Sequence, residues 1–207
     1  MPLLQKQNNP LLGVWQISES SDKLLSMLPD LSGSLSFLQS IRAEHRKQER
    51  LASRVLLKEL LEKEAVIDYF PNGAPFLPDI PLHISISHTK GYAAVLLQES
   101  PAAGVDIEYR SDRVCKIRNR FMNQEEEEAI DLNHEIEHLL IYWCAKETLF
   151  KMIEQEDVDF CRHLHVKPFL YAESGTFVVQ ETRTQENAFF KLGYSVTPGF
   201  VLTWSLG

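Results

Sequence analysis

Cysteine is scarce in this chain: 207 residues contain three, Cys115, Cys144 and Cys161. An odd count at long gaps excludes a disulfide framework and fits reduced thiols in a cytosolic protein. Long apolar runs are missing too. No stretch nears the roughly 18 apolar residues that a membrane helix needs. The segment from Met1 to Gln16 lacks the basic start, apolar run and small-residue cleavage site of a secretory signal. The expected setting is therefore cytoplasmic, with no membrane. Basic charge is in deficit, 21 Lys and Arg against 29 Asp and Glu for a net charge of -8. That balance argues against a general nucleic-acid binder, whose phosphate contacts need a basic surface. Repeats and low-complexity linkers are absent. What remains is an ordinary globular balance, 44% hydrophobic and 24% charged, sufficient for one sizeable domain or two small ones.

The pattern along the chain alternates strands and helices. Leu11 to Ile17 predicts a strand, and Ser20-Ser21-Asp22 offers an N-cap to a helix over Lys23–Leu28. The longest helical pattern runs from Leu35 to Glu64. Val66 to Phe70, His83 to Ser87 and Tyr92 to Leu97 read as strands, with a turn at Pro71-Asn72-Gly73. After Gly104 to Glu108 come a basic stretch, Ser111 to Arg120, and two helical segments: Gln124 to Ile130, then Asn133 to about Glu154. Strands are expected again at His163–Val166, Phe177–Gln180, Ala188–Phe190 and Phe200–Trp204. The fold class is α+β: two similar halves, 1–100 and 101–207, each with helices packed on a mainly antiparallel sheet.

Two segments carry chemistry. In Gly104-Val105-Asp106-Ile107-Glu108, a strand places Asp106 and Glu108 on one face. In Trp143-Cys144-Ala145-Lys146-Glu147-Thr148-Leu149-Phe150-Lys151, a helix stacks Glu147 and Lys151 at i, i+4. Separately, each is ordinary: a solvated strand face and an exposed helix pair. Together they gather three hard oxygen donors and an ammonium, which suits Mg²⁺ holding a phosphate. Mn²⁺ accepts the same ligands.

Those segments resemble the signature of the 4′-phosphopantetheinyl transferases, (I/V)-G-(I/V)-D followed by (F/W)-(S/C/T)-x-K-E-(A/S)-x-x-K, with Thr148 where Ala or Ser is usual. Upstream, Ile84-Ser85-Ile86-Ser87-His88-Thr89 resembles the S-x-S-H-(S/T) segment of the longer, Sfp-type branch. Leu51-Ala52-Ser53-Arg54 is similar to its L-A-G-R helix. Asn72-Gly73-Ala74-Pro75-Phe76 resembles its G-K-P segment, but with Ala74 where lysine is common. The resemblance implies a monomeric pseudodimer, a holo-[acyl-carrier-protein] synthase that moves 4′-phosphopantetheine from coenzyme A to a serine of an acyl or peptidyl carrier protein. Adenosine 3′,5′-bisphosphate leaves. Asp106, Glu108 and Glu147 would hold Mg²⁺ against the pyrophosphate, and Glu147 would also act as general base. Lys151, with Lys146, would meet phosphate charge. Ser87, His88 and Arg46 would bind the 3′-phosphate, Arg42 or Arg54 adding contacts. With Ala74 in place of lysine, the expectation is weaker coenzyme A binding or a substitute from elsewhere, such as Lys90 or Arg54. Arg110 to Arg120 is a plausible docking face for an acidic carrier, although Glu125 to Glu128 would also balance it.

Rival readings come from two other places. His134-Glu135-Ile136-Glu137-His138 satisfies H-E-x-x-H, the zinc-protease pattern, but its apolar neighbours serve a core and no third ligand follows. Cys161, His163 and His165 would share one face of a strand, a tract too short to complete a tetrahedral site. Trp15, Trp143 and Trp204 read as core aromatics. A non-catalytic relative that binds coenzyme A or a carrier is the remaining alternative. Retention of Asp106, Glu108, Glu147 and Lys151 favours catalysis over it.

Overall fold

The computed structural model describes residues 2–29, 38, 40–153 and 155–206, which fall into two compact units, Met1–Ser100 and Pro101–Gly207. Both are α+β with antiparallel sheets.

In the first unit, strands β1 (Leu3–Asn8), β2 (Leu11–Gln16), β5 (His83–Thr89) and β6 (Tyr92–Gln98) form a sheet in the order β1-β2-β6-β5. The β5–β6 hairpin turns at Gly91, whose φ of 82° suits a residue without a Cβ. Helix α1 (Ser21–Ser26) is capped by the Ser20 side chain, which accepts from the Lys23 N–H. Helix α2 (Glu44–Leu61) is buried continuously from Leu51 to Leu57 and again at Leu60, and shares a core with Trp15, Ala93, Val95 and Leu97. Of the expected Leu35–Glu64 helix, positions 35–37 and 39 lie outside the described residues, and α2 begins only at Glu44. Strand β1 is not among the strands expected from the sequence. Its alternation of half-buried and exposed positions marks an edge strand whose partner, β2, carries the buried side chains. A small ribbon pairs β3 (Asp68–Tyr69) with β4 (Pro75–Phe76).

In the second unit, β7 (Val105–Tyr109), β8 (Leu164–Val166), β9 (Ser174–Glu181), β10 (Phe189–Val196) and β11 (Phe200–Ser205) form a sheet in the order β7-β11-β10-β9-β8. Short helices α3 (Arg113–Ile117) and α4 (Gln124–Glu128) lead to the long α5 (Glu135–Ile153), and α6 (Phe160–His163) follows it. Position 154, the expected helix end, lies outside the described residues. Helix α5 buries Leu139, Ile141, Ala145 and Leu149. Its core partners include Phe177, Val179, Leu192 and Val201 of the sheet.

One expectation fails here. Cys161 and His163 do not lie on a strand with His165. The Asp159 carboxylate accepts from the N–H groups of Cys161 and Arg162 and caps a helical turn that ends at His163. The three side chains therefore share no face. No helix among the described residues is long and apolar enough to cross a membrane.

Candidate active site

The strand–helix seam between β7 and α5 depends on close backbone approach. A Cβ at Gly104 would stand 2.6 Å from Met152 Cγ and 2.7 Å from the Thr148 carbonyl oxygen, so only glycine lets α5 come this near. Thr148 then bonds across the seam to the Thr203 hydroxyl, 2.6 Å away. Thr203 is the partner of Asp106 in the β7–β11 register. Thr148, where a smaller residue is usual in the signature, thus fastens helix to sheet.

This closeness gathers the four charged residues singled out in the sequence. Lys151 Nζ donates to Asp106 Oδ1 at 2.8 Å and to the Val105 carbonyl at 2.9 Å. Asp106 is buried, while Glu108 and Glu147 are half-buried. Burial, followed by the charge of Asp106 and against the pull of Lys151, pushes the Glu147 carboxyl up to about 7, with Glu108 raising it further. One ammonium thus faces three carboxylates in a partly desolvated seam. Among the described residues no three His, Cys, Asp or Glu side chains are already arranged around a metal position, and Asp106 is engaged by Lys151 instead. The donor chemistry, hard oxygens with excess negative charge, fits a small divalent cation.

Trp143 belongs to this site although it reads from sequence as a core aromatic. Its indole Nε1 donates to Glu108 Oε1 at 3.3 Å, and its ring meets Phe121 edge-on at 5.2 Å. The signal was available: Trp143, Glu147 and Lys151 recur every four residues and so share one helical face. Trp143 and Glu147 also line a cleft of about 760 Å³, with Ile117, Val158 and Phe160 as apolar walls and Arg120 at its edge.

Lys146, expected to face phosphate, does not. Its side chain is fully buried and donates to Glu126 Oε2 at 2.6 Å and to the carbonyls of Phe121 and Phe160 at 2.5 and 3.0 Å. One helical step of about 100° turns it away from Glu147 and into the core.

The first unit holds the remaining candidates. On the regular pairing of β5 with β6, His88 lies opposite Ala93 and Ser87 opposite Ala94. Successive strand residues point to opposite faces, so the side chains of Ser87 and His88 do not converge. His88 faces α2, where its Nδ1 lies 3.4 Å from Glu49 Oε2, and Arg46 donates to that same oxygen at 3.1 Å. Burial lowers the His88 pKa, Glu49 opposing and Arg46 and Arg50 adding to the shift. Arg54 is buried and donates to the Arg50 carbonyl.

The basic stretch after β7 is partly consumed. Arg110 pairs with Glu137, and Arg118 pairs with Glu127 and Glu135. Arg113, Lys116 and Arg120 are exposed and form no ion pair among the described residues. The H-E-x-x-H residues do not cooperate either. His134 pairs with Asp131 at 3.0 Å and stacks on Tyr171 at 4.2 Å. His138 is buried, and its Nδ1 accepts from the Asp131 N–H at 3.0 Å.

The chain belongs to the 4′-phosphopantetheinyl transferase superfamily, whose family model matches residues 102–204, nearly the whole of the second unit. Among curated proteins it is similar to the 4′-phosphopantetheinyl transferase AcpT of Escherichia coli strain K12. The two are 31% identical over 112 residues, which cover 51% of this chain and 57% of that relative's length.

Proposed function

We propose that this chain transfers the 4′-phosphopantetheine group of coenzyme A to a serine hydroxyl of an apo carrier protein, as an Sfp-type enzyme. The observation that carries the reading is the meeting of Asp106, Glu108, Glu147 and Lys151 at one seam. Family membership supports it.

In this reading the serine oxygen attacks the phosphorus that bears the pantetheine arm. The bond from that phosphorus to the bridging oxygen breaks, and adenosine 3′,5′-bisphosphate leaves with the electron pair. Asp106, Glu108 and Glu147 would hold Mg²⁺, or Mn²⁺, which supplies charge neutralisation for the departing oxygen. Glu147 takes the serine proton. Glu147 lines the cleft at which the acceptor hydroxyl would arrive, which suits it to that role. Lys151, leaving Asp106, meets the phosphate charge that builds on the reacting group. Trp143 fixes the orientation of Glu108.

Arg46 and His88 would take the 3′-phosphate, and the Ser87 side chain, on the opposite face of β5, would not join them. Ala74 offers that site no charge, and Arg54 is too buried to replace a lysine there. An acidic carrier would dock along Arg113, Lys116 and Arg120, presenting its serine at the cleft that Glu147 lines. A zinc protease reading is not favoured, because His134 and His138 have separate partners.

The test is intact-mass spectrometry of a panel of apo acyl and peptidyl carriers incubated with the chain, coenzyme A and Mg²⁺. A gain of one phosphopantetheine is expected, lost in Glu147→Ala. No gain on any carrier would leave the non-catalytic binding relative as the better account.

A further inference from the structure

Three arginines, Arg46, Arg50 and Arg54, recur every four residues along α2, and His88 of β5 faces the same helix. Among them stands one carboxylate, Glu49. Its side chain is only 12% exposed, and a single oxygen, Oε2, serves both Arg46 at 3.1 Å and His88 at 3.4 Å. Arg50 turns to the Tyr69 hydroxyl at 2.7 Å, its guanidinium 5.2 Å from that ring's centre. The two groups best placed for a phosphate therefore already share an anion supplied by the chain.

We infer that Glu49 is an internal competitor for the phosphate monoester that Arg46 and His88 would bind, and that it lowers the affinity of this site for the 3′-phosphate of coenzyme A and of the departing bisphosphate. The inference rests on the phosphate role proposed above for these two residues. An arriving phosphate must displace or sit beside a carboxylate, and like charges side by side in a partly desolvated site repel strongly. The carboxylate also keeps Arg46 and His88 pointed at the site when it holds no phosphate. A weaker hold on the 3′-phosphate speeds release of the bisphosphate product, so the device favours turnover over tight binding.

The experiment is calorimetric titration of the full chain and its Glu49→Gln variant, at one ionic strength, with adenosine 3′,5′-bisphosphate and with adenosine 5′-monophosphate. Glutamine keeps the side chain's size and an acceptor oxygen while removing the charge. The expected result is binding of the bisphosphate about tenfold tighter in Glu49→Gln, with the monophosphate unchanged. Glu49→Ala serves as the second variant, with a gain in the same direction. Unchanged or weaker bisphosphate binding in both variants overturns the inference, as does an equal gain for the monophosphate or no bisphosphate binding by any of the three proteins. If carriers gain mass but the variants bind no more tightly, this inference alone falls. If the variants tighten while no carrier is modified, the competitor stands and the transfer reading falls.

Discussion

Lys146 and Glu126 face each other at 2.6 Å with both side chains out of water, one residue before the carboxylate that crowns the candidate active site. Glu126 is fully used. Its Oε1 accepts from the Val166 N–H at 2.9 Å and its Oε2 from the Asn123 N–H at 3.0 Å, besides Lys146. Lys146 in turn holds the carbonyls of Phe121 and Phe160. One buried pair thus ties α5 to the start of α4, to β8 and to the cleft wall at Phe160.

Breaking that pair from one side strands a charge in the core. Lys146→Met should cost about 3–5 kcal/mol, measured by urea unfolding, because Glu126 loses its countercharge while buried. Adding Glu126→Gln should recover roughly half of the loss, since an amide needs no cation and its oxygen still accepts a backbone N–H. Equal stability of the single and double variants would contradict the pairing.

Much of this architecture was legible in the sequence, and the exceptions have physical causes. The seam could be read because strand and helix periodicities fix which side chains share a face, as for Asp106 with Glu108 and Glu147 with Lys151. Lys146 could not. Its charge suggests solvent or phosphate, and only the tertiary partner Glu126, twenty residues away, makes its burial tolerable. The split of Ser87 from His88 follows from strand alternation and was obscured by a contiguous motif. Cys161 and His163 fell on a helical turn because a single aspartate cap outweighed a strand-like pattern. Trp143 does pack against the core as its sequence suggests; its indole nitrogen also donates to Glu108, a partner 35 residues away that local pattern does not reveal.

Gly104 offers the most local test of the seam. Gly104→Ala puts a methyl within 2.7 Å of a backbone carbonyl that cannot move without shifting α5. The expected cost is about 1–3 kcal/mol of stability. A loss of the proposed transfer activity is expected as well, because β7 and α5 carry separate parts of the candidate site. Wild-type values for both quantities would show that the close approach is not needed.

Glu147 makes stability depend on pH in an uncommon direction. Its carboxyl is raised from 4.5 to about 7 on folding, so the native state holds a proton that the unfolded chain has released. The contribution is full below about pH 4.5 and is lost as pH rises towards 7. In metal-free protein, thermal or urea unfolding should show stability falling across that window, by up to about 3 kcal/mol from this group. Glu147→Gln should flatten the profile, and so should millimolar Mg²⁺ if it takes up the ionised carboxylate. A profile identical in wild type and Glu147→Gln would remove the proposed shift.

Trp143→Phe separates packing from carboxylate orientation. Phenylalanine keeps an aromatic ring against Phe121 and Phe160 but cannot donate to Glu108 Oε1 as the indole does. Groups that orient metal-binding side chains commonly account for 10–100-fold in affinity, and the hydrogen bond here, at 3.3 Å, is a modest one. Mn²⁺ titration by calorimetry should therefore show weakening near the lower end, about tenfold. The melting temperature should change little, because the ring contacts survive. If Mn²⁺ binds the variant as tightly as the wild type, Glu108 is oriented by other groups, and Trp143 acts only by filling space between α5 and the cleft wall.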